Sequence, residues 1–97
     1  MALFISSAGL ELGVSPNNGK KFTLEELQGL VGGYIERVSM SDGKSMYVNE
    51  DGKLNGLPYN EKATQILRHQ GRIPNDYIVG DVVILSNEEE DWVWQGS

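Results

Sequence analysis

The stretch that most restricts the fold runs Thr23-Leu24-Glu25-Glu26-Leu27-Gln28-Gly29-Leu30-Val31-Gly32-Gly33-Tyr34-Ile35-Glu36-Arg37-Val38. Thr23 and Glu26 have the spacing of a capping box, in which each side chain satisfies an amide left open at a helix start. Leu24, Leu27, Leu30 and Val31 then fall on one helical face. Gly32-Gly33 ends the helix, because glycine tolerates the left-handed backbone of a C-terminal cap. A β-branched and aromatic run from Tyr34 to Met40 follows at once. The chain therefore passes from helix to strand across paired glycines, which predicts an α+β fold.

The rest of the chain supplies compatible elements. Leu3-Phe4-Ile5 and the alternating Leu10, Leu12 and Val14 read as short strands, joined by Ser6-Ser7-Ala8-Gly9 as a hairpin. Ser15-Pro16-Asn17-Asn18-Gly19 is a turn. Asp42-Gly43 predicts a second hairpin, whose return strand Ser45 to Asn49 puts Met46 and Val48 on one face and Tyr47 on the other. Glu50-Asp51-Gly52-Lys53 is a further turn, and Pro58 holds Leu57 extended. Asn60 caps a second helix with the apolar stripe Ala63, Ile66 and Leu67, bounded by Gly71 and Pro74. Ile78 to Leu85 reads as a strand covered on both sides. Asn87-Glu88-Glu89-Glu90-Asp91 reads as a solvated acidic loop, and Trp92-Val93-Trp94 as a final short strand. With no internal repeat or linker, the expectation is a single small α+β domain over residues 1–97. It has a short, mostly antiparallel sheet and two helices, with the N-terminal hairpin and the Trp-containing strand added to a core of about 16–85.

Composition narrows the function classes. Ninety-seven residues give one modest core. A net charge of -6, from 14 Asp and Glu against 8 Lys and Arg, argues against direct nucleic-acid binding, which needs clustered cations. No cysteine is present, so disulfides and thiolate chemistry are excluded. A single histidine leaves no His-rich metal cage. No apolar run approaches the length of a membrane span, and the N-terminus lacks a signal-peptide pattern. The expected location is the cytoplasm.

Individual polar residues each carry two readings. Alternation puts Tyr34, Glu36, Val38 and Met40 on one face, which makes Glu36 either a ligand contact with a perturbed pKa or a rim carboxylate paired with Lys or Arg. Asp81 either aligns with Val79, Val83 and Leu85 or occupies a Gly80-Asp81 turn or bulge. Asn60 is a helix cap that, facing a cleft, would also favour an anionic group. His69 beside Arg68 suits the helix dipole. Trp92 and Trp94 pack over the domain, meet another subunit or stack on a flat ligand. No Ser-His-acid set, phosphate-binding glycine loop or paired metal ligands emerges, so a binding protein is expected over an enzyme, with no cofactor and no metal. Glu36 with Asp81 leaves acid–base hydrolysis as a third possibility.

The run Asn18-Gly19-Lys20-Lys21-Phe22-Thr23 through Val31-Gly32-Gly33-Tyr34-Ile35-Glu36 resembles the signature of a small catalogued family of unknown function, common in bacteriophages and other mobile elements. Val48-Asn49-Glu50-Asp51-Gly52-Lys53-Leu54, Gly56-Leu57-Pro58-Tyr59-Asn60-Glu61-Lys62-Ala63-Thr64 and Ile78-Val79-Gly80-Asp81-Val82-Val83 are similar to the same family, in order. The resemblance implies a phage context and supplies no catalytic residues. In that context the leading expectation is a non-catalytic counter-defence factor, a homo-oligomer that sequesters a nucleotide-derived immune signal. Aromatic rings would stack a base, cations would hold phosphates, and Asn or Glu would read ribose hydroxyls. The candidate ligand contacts are Tyr34, Glu36, Arg37, Asn49, Lys53, Asn60 and Arg68. The alternative is an acidic inhibitor of a host defence protein or nuclease.

Overall fold

Every residue of Ser45–Asn49 and of Val82–Leu85 is buried, which only a sheet covered on both faces allows. The computed structural model, which describes residues 1–90, shows how this arises. Its elements are β1 (Ala2–Ile5), β2 (Glu11–Val14), α1 (Leu24–Val31), β3 (Ile35–Ser39), β4 (Ser45–Asn49), α2 (Glu61–His69) and β5 (Val82–Leu85). One five-stranded sheet has the order β2-β1-β5-β4-β3, with every neighbouring pair antiparallel. Met46, Val48, Val82 and Ile84 project to one side, where Ala63 and Leu67 of α2 meet them. Tyr47, Val83 and Leu85 project to the other, against Leu27 and Val31 of α1 and against Phe22. The fold is a small α+β domain with a mostly antiparallel sheet and two helices, one packed on each face.

Local signals place the helices. The capping box of α1 is complete: the Glu26 amide donates to Thr23 Oγ1 at 3.2 Å and the Thr23 amide to Glu26 Oε1 at 3.0 Å. Asn60 caps α2 by accepting from the Ala63 amide at 3.1 Å. Its own amide group donates to Ile5 O at 3.1 Å and Gly80 O at 2.8 Å, which pins the helix start to β1.

The paired glycines after α1 serve different needs. Gly32 caps the helix at φ 80°, the left-handed region, with open space where a Cβ would point. Gly33 has no positive φ, but a Cβ there would lie 2.8 Å from Asn49 Nδ2. Conformation requires the first glycine and crowding the second.

Two expectations change. The long strand from Ile78 shortens to Val82–Leu85, because Gly80 turns the chain at φ 76° and Asp81 takes the turn position, accepting from the Ser7 amide at 2.9 Å. Val79 keeps only an isolated bridge to Tyr59. The acidic segment is not simply a solvated loop: Asn87–Glu89 forms a 3-10 turn, and Glu89 and Glu90 are buried. Glu89 pairs with the Met1 ammonium at 3.1 Å. The expected strand Trp92-Val93-Trp94 lies outside the described residues. No helix among the described residues is long and apolar enough to cross a membrane.

A double-mutant cycle separates the two glycines. Gly32→Ala should cost about 1–2 kcal/mol from left-handed strain, equally with or without Asn49→Ala. Gly33→Ala should cost clearly less once Asn49→Ala has removed the crowding amide. Urea unfolding of the single and double variants measures both.

Candidate functional site

The β3–β4 hairpin divides its side chains between the two faces of the sheet, and the division builds two different polar assemblies. Its register sets Glu36 opposite Val48 and Arg37 opposite Tyr47. The Glu50 amide donates to Tyr34 O at 2.8 Å, extending the ladder by one step. Glu36, Val38, Val48 and Glu50 consequently share the face that α2 covers. They lie in an open cleft of about 490 Å³. Val38, Val48 and Ile78 give it apolar lining, the turn carrying Lys53 forms one wall, and the loop from Arg72 to Tyr77 forms the other.

The walls are joined by charge. Lys53 Nζ forms an ion pair with Asp76 Oδ1 and sits 4.3 Å from the centroid of the Tyr77 ring. The Asp76 carboxylate also accepts the Tyr77 amide at 2.7 Å. Its hydrogen bond with Lys53, reinforced by that amide, holds the Asp76 carboxyl below its ordinary pKa, and the same bond raises Lys53. Tyr59 packs on Tyr77 at a 54° tilt, 6.1 Å between centroids. Arg68 reaches from α2 to the loop, donating through Nε and Nη2 to Asp76 O at 3.2 and 2.8 Å. Glu36, Glu50 and Arg72 line the cleft without a salt bridge or a side-chain hydrogen bond among the described residues.

The sequence candidates therefore separate. Glu36 and Lys53 present charged groups to the cleft, Glu36 as an exposed carboxylate. Asn49 borders it but is buried, donating to Val31 O at 3.2 Å and accepting from the Asp51 amide at 2.9 Å, so it positions the Lys53 turn. Arg68 braces the far wall from outside the lining. Tyr34 is 68% exposed and does not line the cleft. Asn60 is fully buried with its side-chain groups committed to Ala63, Ile5 and Gly80, so it reads no ligand. Arg37 turns its guanidinium to the opposite face of the sheet. Residue-by-residue reading missed Arg72 and Asp76, where Gly71 and Pro74 marked only a helix end; Tyr77, with Tyr34, Tyr47 and Tyr59, reads from the sequence as amphipathic surface suited to a binding patch, and it lines the cleft.

On that opposite face Arg37 Nε donates to Glu90 Oε1 at 3.0 Å, and the Tyr47 hydroxyl donates to the same oxygen. Glu90 is fully buried, and these bonds tie the chain beyond β5 onto β3 and β4. Burial opposes charge on Glu90, but the hydrogen bonds from Tyr47 and Arg37 outweigh it and hold the carboxyl below its ordinary pKa. Burial also pushes the Tyr47 phenol up, which keeps it a donor. This cluster is a structural tie, with its charges matched internally. The cleft sets the charges of Glu36, Glu50 and Arg72 beside apolar surface, a combination that small-molecule sites share. Among the described residues, no group of three or more His, Cys, Asp or Glu gathers to hold a metal ion.

Fold and cleft together define a small α+β domain with an open, mixed-charge recess beside its edge hairpin. The chain belongs to the DUF3846 family, described as a domain of unknown function, whose model matches residues 10–93. No curated protein and no solved structure matches it.

The buried carboxylate sets an acid dependence. A depressed folded-state pKa gives Glu90 a stabilising contribution above its unfolded value of about 4.3, lost as pH falls through the folded value. Glu90→Gln should unfold more readily at pH 7 and show a shallower loss of stability below about pH 4.3. Glu26 and Asp76, also held low, preserve part of the acid limb. Denaturant unfolding from neutral to acid pH checks this.

Proposed function

We propose that the protein is a non-catalytic binding protein whose cleft sequesters a small nucleotide-derived molecule, acting as a phage-encoded counter-defence factor against a host immune signal. The observation that carries this reading is the cleft of about 490 Å³, within the roughly 300–1,000 Å³ typical of small-molecule sites. Its groups suit the parts of a nucleotide. Lys53 and Arg72 supply cations for phosphate, Glu36 and Glu50 accept from ribose hydroxyls, and Tyr77 offers a ring beside an apolar floor. The phage context comes from the sequence resemblance, and the host cytoplasm is the compartment it implies. A homo-oligomer fits the same reading, because β3 borders the cleft and is an edge strand of the sheet, so a second copy beside it would add a wall.

Isothermal titration with cyclic dinucleotides and cyclic ADP-ribose isomers tests the proposal. A saturable signal is expected with at least one of them, weakened about tenfold or more by Arg72→Ala, since charge-assisted bonds to phosphate are the strong ones in such sites. No heat with any member of the panel would remove the idea. The net charge of -6 favours a second reading, an acidic inhibitor docked on a basic host effector or nuclease. Co-purification with such a protein, lost at high salt, would identify it.

A further inference from the structure

We infer that Lys53 is the seat for an anionic group of the ligand, a phosphate in the nucleotide reading, and that Asp76 occupies this seat as a built-in competitor. The inference rests on the cleft being the ligand site. Lys53 lies on the turn after β4 and Asp76 on the loop after α2, so their ion pair spans the cleft from wall to wall. The pair is accessible, with side-chain exposures of 46% and 55%, and water and salt weaken its hold. A phosphate carries more charge than the carboxylate it would replace, and it offers more acceptor oxygens.

The surroundings are arranged so that this exchange leaves both walls in place. Arg68 holds the loop through the main-chain oxygen of Asp76, a contact that survives movement of the side chain. Lys53 keeps its position over the Tyr77 ring, 4.3 Å from the centroid. Asn49 fixes the start of the Lys53 turn through the Asp51 amide. Arg72 lines the same cleft without a salt bridge among the described residues, adding a second positive charge for the incoming anion. Asp76 therefore lowers affinity for anionic ligands and disfavours weak ones, since only a group that outcompetes it gains the ammonium.

The test compares wild type, Asp76→Asn and Lys53→Ala/Asp76→Asn by calorimetric titration with inorganic pyrophosphate, ADP and adenosine. Asp76→Asn keeps an oxygen for the Tyr77 amide, and thermal melting confirms that each variant is folded. The expected result is that Asp76→Asn binds pyrophosphate and ADP about three- to fivefold more tightly, the scale set by an exposed ion pair. Adenosine affinity should be unchanged, and Lys53→Ala in the double variant should abolish the gain. A gain with ADP but not pyrophosphate would place the seat within a nucleotide site; a gain with both would show that the anion alone suffices. Nucleotide binding that Asp76→Asn leaves unchanged overturns the seat and spares the cleft. Absence of binding by wild type and Asp76→Asn to all three probes and to the cyclic nucleotides overturns both.

Discussion

The two-sided burial of β4 is the constraint on which the remaining architecture rests. Met46 and Val48 belong to the core under α2, while Tyr47 belongs to the core under α1. Neither face can be given up, so the register of the β3–β4 hairpin is fixed by packing on both sides. A slip of one residue would drive Tyr47 into the α2 core and expose the methionine and valine to the other layer. The same register distributes charge. It delivers Glu36 to the cleft and Arg37, one residue later, to the buried Glu90 on the far side.

The cleft owes its shape to chain segments that are irregular but tied down. The turn after β4 is held by Asn49, whose amide reaches the last residue of α1. The loop after α2 is held by Arg68, which binds its main chain. Both braces are polar side chains on regular elements, reaching a few ångströms beyond them to fix backbone that has no ladder of its own. This is how a small domain holds the walls of an open recess in place. On the opposite face the polar groups of Arg37, Tyr47 and Glu90 satisfy one another, as burial requires.

Much of the fold was legible in local sequence because local chemistry decides it. Thr23 with Glu26, Asn60 before its helix, and Asp42-Gly43 between strands each act within a few residues, and each formed as expected. The site was less legible. Tyr34, Glu36 and Arg37 are adjacent in sequence, but strand alternation sends Arg37 away from the other two, and the end of the strand leaves Tyr34 in solvent. Arg72, Asp76 and Tyr77 lie in a loop with no periodic signal, and they reach the Lys53 turn only through the tertiary fold. Glu90 misleads most plainly. Its acidic neighbours read as a solvated run, whereas its partners Tyr47 and Arg37 lie 43 and 53 residues earlier. A charge buried by distant partners leaves no trace in its own neighbourhood.

We propose one face of the edge hairpin, walled by the Lys53 turn and the Arg72–Tyr77 loop, as the binding surface for a small phosphate-bearing molecule. Amide chemical-shift mapping of the isotope-labelled protein during nucleotide titration tests this most directly. Saturable shifts are expected to concentrate at Glu36, Val48 to Leu54 and Arg72 to Val79, with the residues around Glu90 unmoved. Shifts centred on α1 and the Glu90 cluster, or none at saturating nucleotide, would contradict it.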